Sequence, residues 1–290
     1  IVFSNKFFYI IYYMIIWLAS YPKSGNTWVR LFLDKLLNNN ENIDINNIKS
    51  IQFPQKFHFD GLVKDTNNLK ETSVNYIVAQ DKINLDNKIK FFKTHSANWK
   101  AYNTSFTNFE NTLGVIHIVR DPRNIVTSVL NHFSKESYPE AMKFMNNSAQ
   151  QIWDNKNESE KFLTLISSWS NHYNSWKKFK KNNLLISYER LLNEPEKEYN
   201  KICNLLSKIT NLSYKKNQIL EAIDKCKFTN LQKLETEKGF VEAVSDKNGN
   251  VKKFFNLGPN NNWEKLLDPE IKSEIEKLFG NEMRDLGYIN

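Results

Sequence analysis

Cysteine is nearly absent from this chain, which narrows both its compartment and its chemistry. Only Cys203 and Cys226 occur among 290 residues, far apart and without a Cys-x-x-Cys pattern or a histidine at metal-ligand spacing. This excludes a disulfide framework and a cysteine-based zinc site as the basis of the fold. A reducing, cytoplasmic location fits such sparse cysteine usage best.

A hydrophobic run long enough to cross a bilayer is also missing. The candidate run Phe7–Ala19 has 13 residues, whereas a spanning helix needs about 20. No basic segment and small-residue cleavage site mark it as a secretory signal peptide. Because Met14 directly precedes a strand-like segment, we interpret residues 1–13 as an upstream extension outside a single domain of residues 14–290. A membrane anchor is the alternative, although a membrane partner is not expected.

Glycine is scarce, with eight in the whole chain, and the Walker A pattern GxxxxGK[ST] does not occur. A P-loop kinase would need that pattern together with an acidic Mg²⁺ ligand after a strand. No cluster of Asp and Glu offers such a ligand, so no metal site is expected. A P-loop-like small-molecule kinase and a non-catalytic nucleotide-binding protein are kept as alternatives.

The charge balance is basic, with 40 Lys and Arg against 32 Asp and Glu and a net charge of +8. This favours an anionic partner but does not choose among nucleotides, nucleic acids and acidic surfaces. The cations are spread along the chain instead of forming a continuous face with interleaved aromatics, so a nucleic-acid partner is not expected.

Short continuous apolar runs alternate with helical patterns along the chain. Such runs are typical of strands buried on both faces, and their alternation with helices predicts an α/β fold with a mostly parallel sheet. The predicted strands are Ile15–Ala19, Lys90–Lys93, Gly114–Val119 and Leu184–Tyr188. The predicted helices cover residues 27–37, 125–133, 162–179, 195–208, 215–225 and 269–279. Residues 134–160 are interpreted as a surface excursion and 235–262 as a lid loop, and no Asn-Gly hairpin signal is assigned.

Polar and basic groups collect where these strands end. Residues 23–27 follow the first strand, Lys93 and His95 the second, Arg120 the third, and Tyr188 the fourth. Ligands of open α/β sheets bind at the carboxyl ends of strands, so these groups are expected to meet. A glycine, a lysine and a helix N-terminus in the first turn predict a cradle for an anion.

Several of these segments also resemble the motifs of a known enzyme family. Residues 21–28, Tyr-Pro-Lys-Ser-Gly-Asn-Thr-Trp, resemble the 5′-phosphosulfate loop of the sulfotransferases that use 3′-phosphoadenosine-5′-phosphosulfate (PAPS). Residues 118–128 resemble the segment of that family that binds the nucleotide 3′-phosphate, and residues 93–95 its Lys-Thr-His. Residues 188–191 are similar to its Tyr-Glu-Asp-Leu segment, and residues 254–258 to its lid. The segments follow in order over nearly the whole chain, and the tail 263–288 resembles the bacterial branch.

The resemblance implies a P-loop-like three-layer fold, with a central, mostly parallel sheet flanked by helices. It implies transfer of a sulfuryl group from PAPS to an acceptor hydroxyl or amine on a small molecule or glycan. His95 would be the general base, Lys23 would stabilise the leaving phosphate oxygen, and Lys93 would steady the sulfuryl oxygens. The residues implied to bind the nucleotide are Lys23, Ser24, Gly25, Asn26, Thr27, Trp28, Arg120, Ser128, Tyr188, Phe228 and Gly258.

Within that set the roles divide by chemistry. Arg120 and Ser128 would hold the 3′-phosphate. Trp28 and Phe228 would stack on adenine, with a hydrogen bond from Tyr188 nearby. His58, His117, His132 and His172 are interpreted as structural.

The sequence differs from the family pattern in the first turn and in the lid, and it lacks the dimerisation motif of the animal enzymes. Asn26 replaces a threonine, and it is expected to donate in its place. The lid has Asn256 and Leu257 where the family carries Arg and Lys before glycine, so closure over the 3′-phosphate needs other groups. The Lys-Thr-Val-Glu dimerisation motif of the animal enzymes is not visible after Trp263, so no oligomeric state follows.

Overall fold

A computed structural model describes residues 14–38, 42–153, 162–245 and 248–290. The interpretation of residues 1–13 as an extension therefore lies outside the described residues. The strands are β1 (Ile15–Ser20), β2 (Ile51–Gln52), β3 (Lys90–Thr94), β4 (Lys100–Ala101), β5 (Thr104–Ser105), β6 (Thr112–Val119), β7 (Gln151–Trp153), β8 (Leu163–Leu165), β9 (Asn183–Ser187), β10 (Val244–Ser245) and β11 (Val251–Lys252). The helices are α1 (Asn26–Asn38), α2 (Leu69–Val74), α3 (Tyr76–Asn84), α4 (Pro122–His132), α5 (Tyr138–Asn146), α6 (Trp169–Lys177), α7 (Tyr188–Asn193), α8 (Pro195–Thr210), α9 (Lys216–Lys225), α10 (Phe228–Lys238), α11 (Trp263–Leu266) and α12 (Pro269–Asp285).

The described residues form a central five-stranded sheet in the order β2-β3-β1-β6-β9. Every neighbouring pair in it is parallel. The register aligns the strand ends, since Ala19 pairs with both Thr94 and His117, and Val119 pairs with Ser187. The parallel α/β fold expected from the sequence is thus confirmed, and the carboxyl ends of four strands lie along one edge.

The central strand β1 is buried on both faces, which explains its unbroken apolar sequence. Ile16 and Leu18 point to a core shared with α1, α8 and α9. Trp17 and Ala19 point to an aromatic core on the opposite face, where Trp176 of α6 also packs. Because side chains alternate along a strand, one apolar run supplies both cores and produces three layers.

A third core lies beside the sheet, where α4, α5 and α12 pack together. The interpretation of residues 134–160 as a surface excursion was wrong for α5, because the apolar residues of its inner face, Ala141, Met142 and Met145, are buried in this core. The helix predicted over 162–179 begins only at Trp169, because Leu163–Leu165 pairs antiparallel with β7 instead.

The predicted lid loop contains more structure than the sequence indicated. It begins inside α10, and β10 and β11 pair antiparallel with Asn248 and Gly249 between them. This hairpin was missed, although Asn-Gly is a strong turn signal. Phe240 and Phe255 are buried against each other and anchor the segment to the core under α1.

None of the described helices has the length and apolar character that a membrane crossing requires.

Candidate active site

A cavity of about 700 Å³ opens at the carboxyl edge of the sheet. Twelve of the thirteen residues predicted from the sequence to form the site line it, from Lys23 in the first turn to Gly258 in the lid. The exception is Ser24, which is buried beneath the turn with a hydroxyl that has no hydrogen-bond partner. The structure therefore brings the predicted residues together, while their individual roles stay predictions.

The turn after β1 needs glycine at position 25 for two reasons. Gly25 has φ +97°, in the left-handed region that side chains disfavour. A Cβ atom at this position would lie 2.6 Å from the Tyr188 ring. The backbone can therefore approach Tyr188 closely only because position 25 has no side chain, and this contact places the helix start against the cavity.

We expect Gly25→Ala to destabilise the protein more than an equivalent change at a spacious turn. A left-handed backbone costs an alanine about 1–2 kcal/mol, and forcing a methyl group against the ring adds about 1–3 kcal/mol. Gly61→Ala is the matched control, because Gly61 has φ +71° and nothing within 4 Å of an added Cβ. Denaturant unfolding of both variants measures the difference. Equal losses of unfolding free energy in the two variants would show that the Tyr188 ring moves away from the added methyl group at no cost in stability.

The start of α1 presents donors to the cavity. The first N–H groups of a helix lack intrahelical partners, and the helix dipole favours an anion there. The Thr27 hydroxyl points to the cavity side and donates to the Glu242 carboxylate at 3.0 Å. The Asn26 amide instead donates to the Leu18 carbonyl and the Ser20 hydroxyl. Its side chain therefore ties the turn to β1, and donation from this amide to a ligand stays a prediction.

Lys23 is held in an unusual setting for a lysine. Its Nζ lies 4.1 Å from the centre of the Phe254 ring and 3.4 Å from His132 Nδ1. Burial, together with the charge of Arg120, lowers the pKa of Lys23 to about 7. A bound anion would offset both effects, so the protonated ammonium is favoured when the cavity holds a negative group.

His95 follows β3 and has a defined tautomer. Its Nδ1 lies 2.8 Å from the Ser20 carbonyl oxygen, which can only accept, so Nδ1 carries the hydrogen and Nε2 has the free lone pair. Burial and the neighbouring Lys93 lower the pKa of His95 to about 3. The ring is therefore neutral near pH 7, with Nε2 unprotonated.

Arg120 lies at the end of β6 over the face of Tyr188, with 4.0 Å between its guanidinium carbon and the ring centre. It donates to the Lys23 carbonyl oxygen at 2.9 Å and reaches the Ser128 hydroxyl at 3.5 Å. Its Nε is buried without a partner. A buried, unsatisfied guanidinium N–H is costly, so this group is a ready donor for an anion.

Two aromatic side chains, Trp28 and Phe228, border the cavity. Trp28 donates from its indole nitrogen to the Cys226 carbonyl oxygen at 2.8 Å, which fixes the ring. A Cβ on Gly258 would lie 2.2 Å from Phe228, so this ring packs directly on the lid glycine. Both rings line the cavity, as the proposed adenine contacts require.

Sequence reasoning missed several residues that line the cavity, and three of them are His132, Arg30 and Glu242. His132 lies one helical turn beyond Ser128 on α4, and Arg30 lies three residues beyond Thr27 on α1, so helical spacing could have indicated both. Glu242 carries no such signal, because its partners Arg30 and Thr27 lie more than 200 residues away in sequence. Among the described residues, no group of three or more His, Cys, Asp and Glu side chains is arranged to hold a metal ion.

Comparison with known proteins shows the family to which this chain is similar. A family model described as a sulfotransferase domain matches residues 15–287. Cytosolic sulfotransferase 13 of Arabidopsis thaliana is 26% identical over 282 residues, which span 92% of this chain and 78% of that protein. Sulfotransferase 2A1 of Macaca fascicularis is 24% identical over 276 residues, with 93% of this chain and 84% of that protein covered. These relatives are plant and mammalian, so the resemblance of the tail to the bacterial branch stays a prediction.

Solved structures share the fold. A mouse sulfotransferase in complex with PAP superposes with a TM-score of 0.57 at 18% identity, over 94% of this chain and 85% of that one. A retinol dehydratase in complex with androsterone and PAP gives a TM-score of 0.58 at 15% identity, over 93% of this chain and 81% of that one. The P-loop-like α/β architecture is therefore common to all three.

Proposed function

Because the chain belongs to the family of sulfotransferase domains, we propose that it transfers a sulfuryl group from PAPS to an acceptor hydroxyl or amine on a small molecule or glycan. The observation that carries the proposal is the meeting of Lys23, Lys93 and His95 in one cavity at the strand ends. Two cationic side chains and a neutral histidine with a free lone pair suit an in-line transfer to a nucleophile that loses a proton.

The described residues fit PAPS as the donor. The Nε of Arg120 and the hydroxyls of Ser24 and Thr127 are buried polar groups without partners around the cavity or beneath its first turn. Such groups are expected to be satisfied by a ligand or by water. Solved relatives contain PAP, adenosine 3′,5′-bisphosphate, which supports the same nucleotide here. Arg120 and Ser128 would hold its 3′-phosphate, and Trp28 and Phe228 its adenine.

PAPS would supply the sulfuryl group, and the chain would supply orientation, charge and the proton acceptor. His95 Nε2 would take the proton of the acceptor hydroxyl or amine, while the Ser20 carbonyl holds the ring by its other nitrogen. Lys23 would stabilise negative charge on the phosphate side, and Lys93 would steady the sulfuryl oxygens. Burial of Tyr188 raises the pKa of its hydroxyl, which keeps the proton available for a hydrogen bond.

We further propose that residues 14–290 act as one domain with a lid at 235–262. The name of the plant relative, a cytosolic sulfotransferase, supports a cytoplasmic location.

The test is transfer of label from radioactive PAPS to an acceptor panel of phenols, alcohols, amines and glycans. We expect transfer to at least one class, unchanged by EDTA. We also expect adenosine 3′,5′-bisphosphate to stabilise the protein by about 2.7 kcal/mol at a hundredfold excess over Kd. ATP and an oligonucleotide should stabilise it less. Activity that needs Mg²⁺ and ATP would favour the kinase alternative. Nucleotide binding with no transfer to any acceptor would favour the non-catalytic one.

A further inference from the structure

Glu242 places a carboxylate inside a cavity whose other charged neighbours are cationic. Its Oε2 accepts a hydrogen bond from the Thr27 hydroxyl at 3.0 Å. Its Oε1 lies 2.6 Å from Arg30 Nη1 and 3.7 Å from Lys93 Nζ. Although burial raises it, the charges of Lys93 and Arg30 hold the pKa of Glu242 well below its usual range. The group is therefore an anion at neutral pH.

The chain around Glu242 holds the carboxylate in place. Two residues before Glu242, Phe240 is buried against Phe254 and Phe255. The next residue, Val241, donates its backbone N–H to the Asn46 side chain at 2.9 Å. Glu242 is thus presented to the cavity by an anchored segment and not by a freely moving loop.

The Thr27 hydroxyl has a single hydrogen to donate, and Glu242 already accepts it, so Thr27 cannot serve two anions at once. The proposed function assigns Lys93 to the sulfuryl oxygens, and Thr27 lies in the segment that resembles the 5′-phosphosulfate loop. Glu242 accepts the Thr27 hydrogen bond and lies 3.7 Å from Lys93 Nζ, and carboxylate and phosphosulfate oxygens are attracted to the same donors. A nucleotide can take the Thr27 hydrogen bond only when the Glu242 carboxylate gives it up, and it must then also compete with that carboxylate for the charge of Lys93.

Displacement of Glu242 would also change the charge of the cavity. Arg30 is held independently through Ser50, whose hydroxyl accepts from Nε at 2.9 Å and whose carbonyl accepts from Nη2 at 3.1 Å. Arg30 would therefore remain in position with its charge released. The cavity gains an uncompensated cation at the moment when the donor anion arrives.

We propose that Glu242 is a specificity-determining residue of the donor site, a tethered anion that ligands must displace with an anionic group at their 5′ end. This inference rests on the proposed function. It predicts discrimination between nucleotides that differ only in the 5′ group, because a ligand without it leaves Glu242 in place and does not compete for Thr27 and Lys93.

The experiment compares the wild type, Glu242→Gln and Glu237→Gln by calorimetric titration with two ligands. Glu237 is the matched control, since it lies on the neighbouring helix α10 and is exposed outside the cavity. We expect Glu242→Gln to bind adenosine 3′,5′-bisphosphate about tenfold more tightly, the fold-change of one hydrogen bond to a charged group. Binding of adenosine 3′-phosphate should stay within about twofold of the wild type, and Glu237→Gln should match the wild type with both ligands.

A second variant, Glu242→Asp, tests the inference even if Glu242→Gln fails to fold. Glu242→Asp keeps the charge for Arg30 but withdraws the carboxylate by one methylene, so its bisphosphate affinity should lie between those of the wild type and Glu242→Gln. Unchanged or weaker bisphosphate binding by both variants would overturn the inference while leaving the proposed function in place. Equal tightening of both ligands would also overturn it, since general electrostatics would then explain the gain. Failure of the wild type to bind the bisphosphate would overturn the proposed function itself.

Discussion

His95→Ala is expected to lower kcat by about 10²–10⁴-fold, the usual contribution of a positioned general base. The affinity for adenosine 3′,5′-bisphosphate should stay nearly unchanged, because the ring contacts the Ser20 carbonyl and no predicted nucleotide contact. Single-turnover transfer from PAPS and calorimetric titration with the bisphosphate measure the two quantities separately. A variant that keeps more than half of the wild-type rate would remove His95 from the mechanism.

His132→Ala is the matched comparison, because His132 is the other histidine that lines the cavity. Burial and the charge of Lys23 lower the pKa of His132 to about 3, so this ring is neutral as well. Its Nδ1, however, faces the Lys23 ammonium at 3.4 Å, so this lone pair is already engaged. We expect a smaller loss of kcat than in His95→Ala. A larger loss of kcat in His132→Ala would indicate that His132 on α4, and not His95 after β3, accepts the proton.

Arg120→Ala is expected to weaken adenosine 3′,5′-bisphosphate about ten- to a hundredfold or more and to change adenosine 5′-phosphate little. A hydrogen bond to a charged group contributes about 1.5–3 kcal/mol, and only the bisphosphate carries the 3′ group. The lid lacks the usual two cations, so the 3′-phosphate depends more on Arg120. Titration of both nucleotides against the variant and the wild type measures the selectivity. Equal weakening of the two would show that Arg120 does not contact the 3′-phosphate.

Lys252 and Lys253 are the competing source of charge, since both line the cavity just before the lid glycine. Lys252 is already engaged at the end of α4, where its Nζ donates to the Asn131 carbonyl oxygen at 2.8 Å and lies 3.2 Å from the Ser134 hydroxyl. We therefore expect a double alanine variant of these lysines to keep most of the selectivity. If the double variant loses affinity for the bisphosphate only, and Arg120→Ala does not, Lys252 and Lys253 supply the charge that binds the 3′-phosphate.

The sheet could be predicted because its signals are local. The apolar run of β1 serves both faces of a buried strand, and the polar groups at the strand ends mark one edge of a parallel sheet. Lys23, His95 and Arg120 could therefore be assigned to one cavity without knowing any contact between them.

The remainder depended on contacts between distant segments. Residues 163–165 have a pattern compatible with a helix, but pairing with β7 decides for a strand. The buried face of α5 could not be distinguished from a surface helix until α4 and α12 were in place. Glu242 is an ordinary acidic residue in a polar segment, and only the folded lid brings it to Arg30.

The turn that carries Arg120 is fastened by the last residues of the described chain. Arg123 stacks on Trp263 at 3.9 Å and donates to Glu276 and to the Tyr288 carbonyl oxygen at 2.6 and 2.9 Å. The Tyr288 hydroxyl donates to Glu189, which also accepts from the backbone N–H of Asp121. Because Tyr288 follows every motif residue in the chain, its contacts with this turn can form only after the ribosome has released all the motif residues. Loss of the final residues would consequently resemble a defect in Arg120 itself, so a screen that measures activity alone would not separate the two.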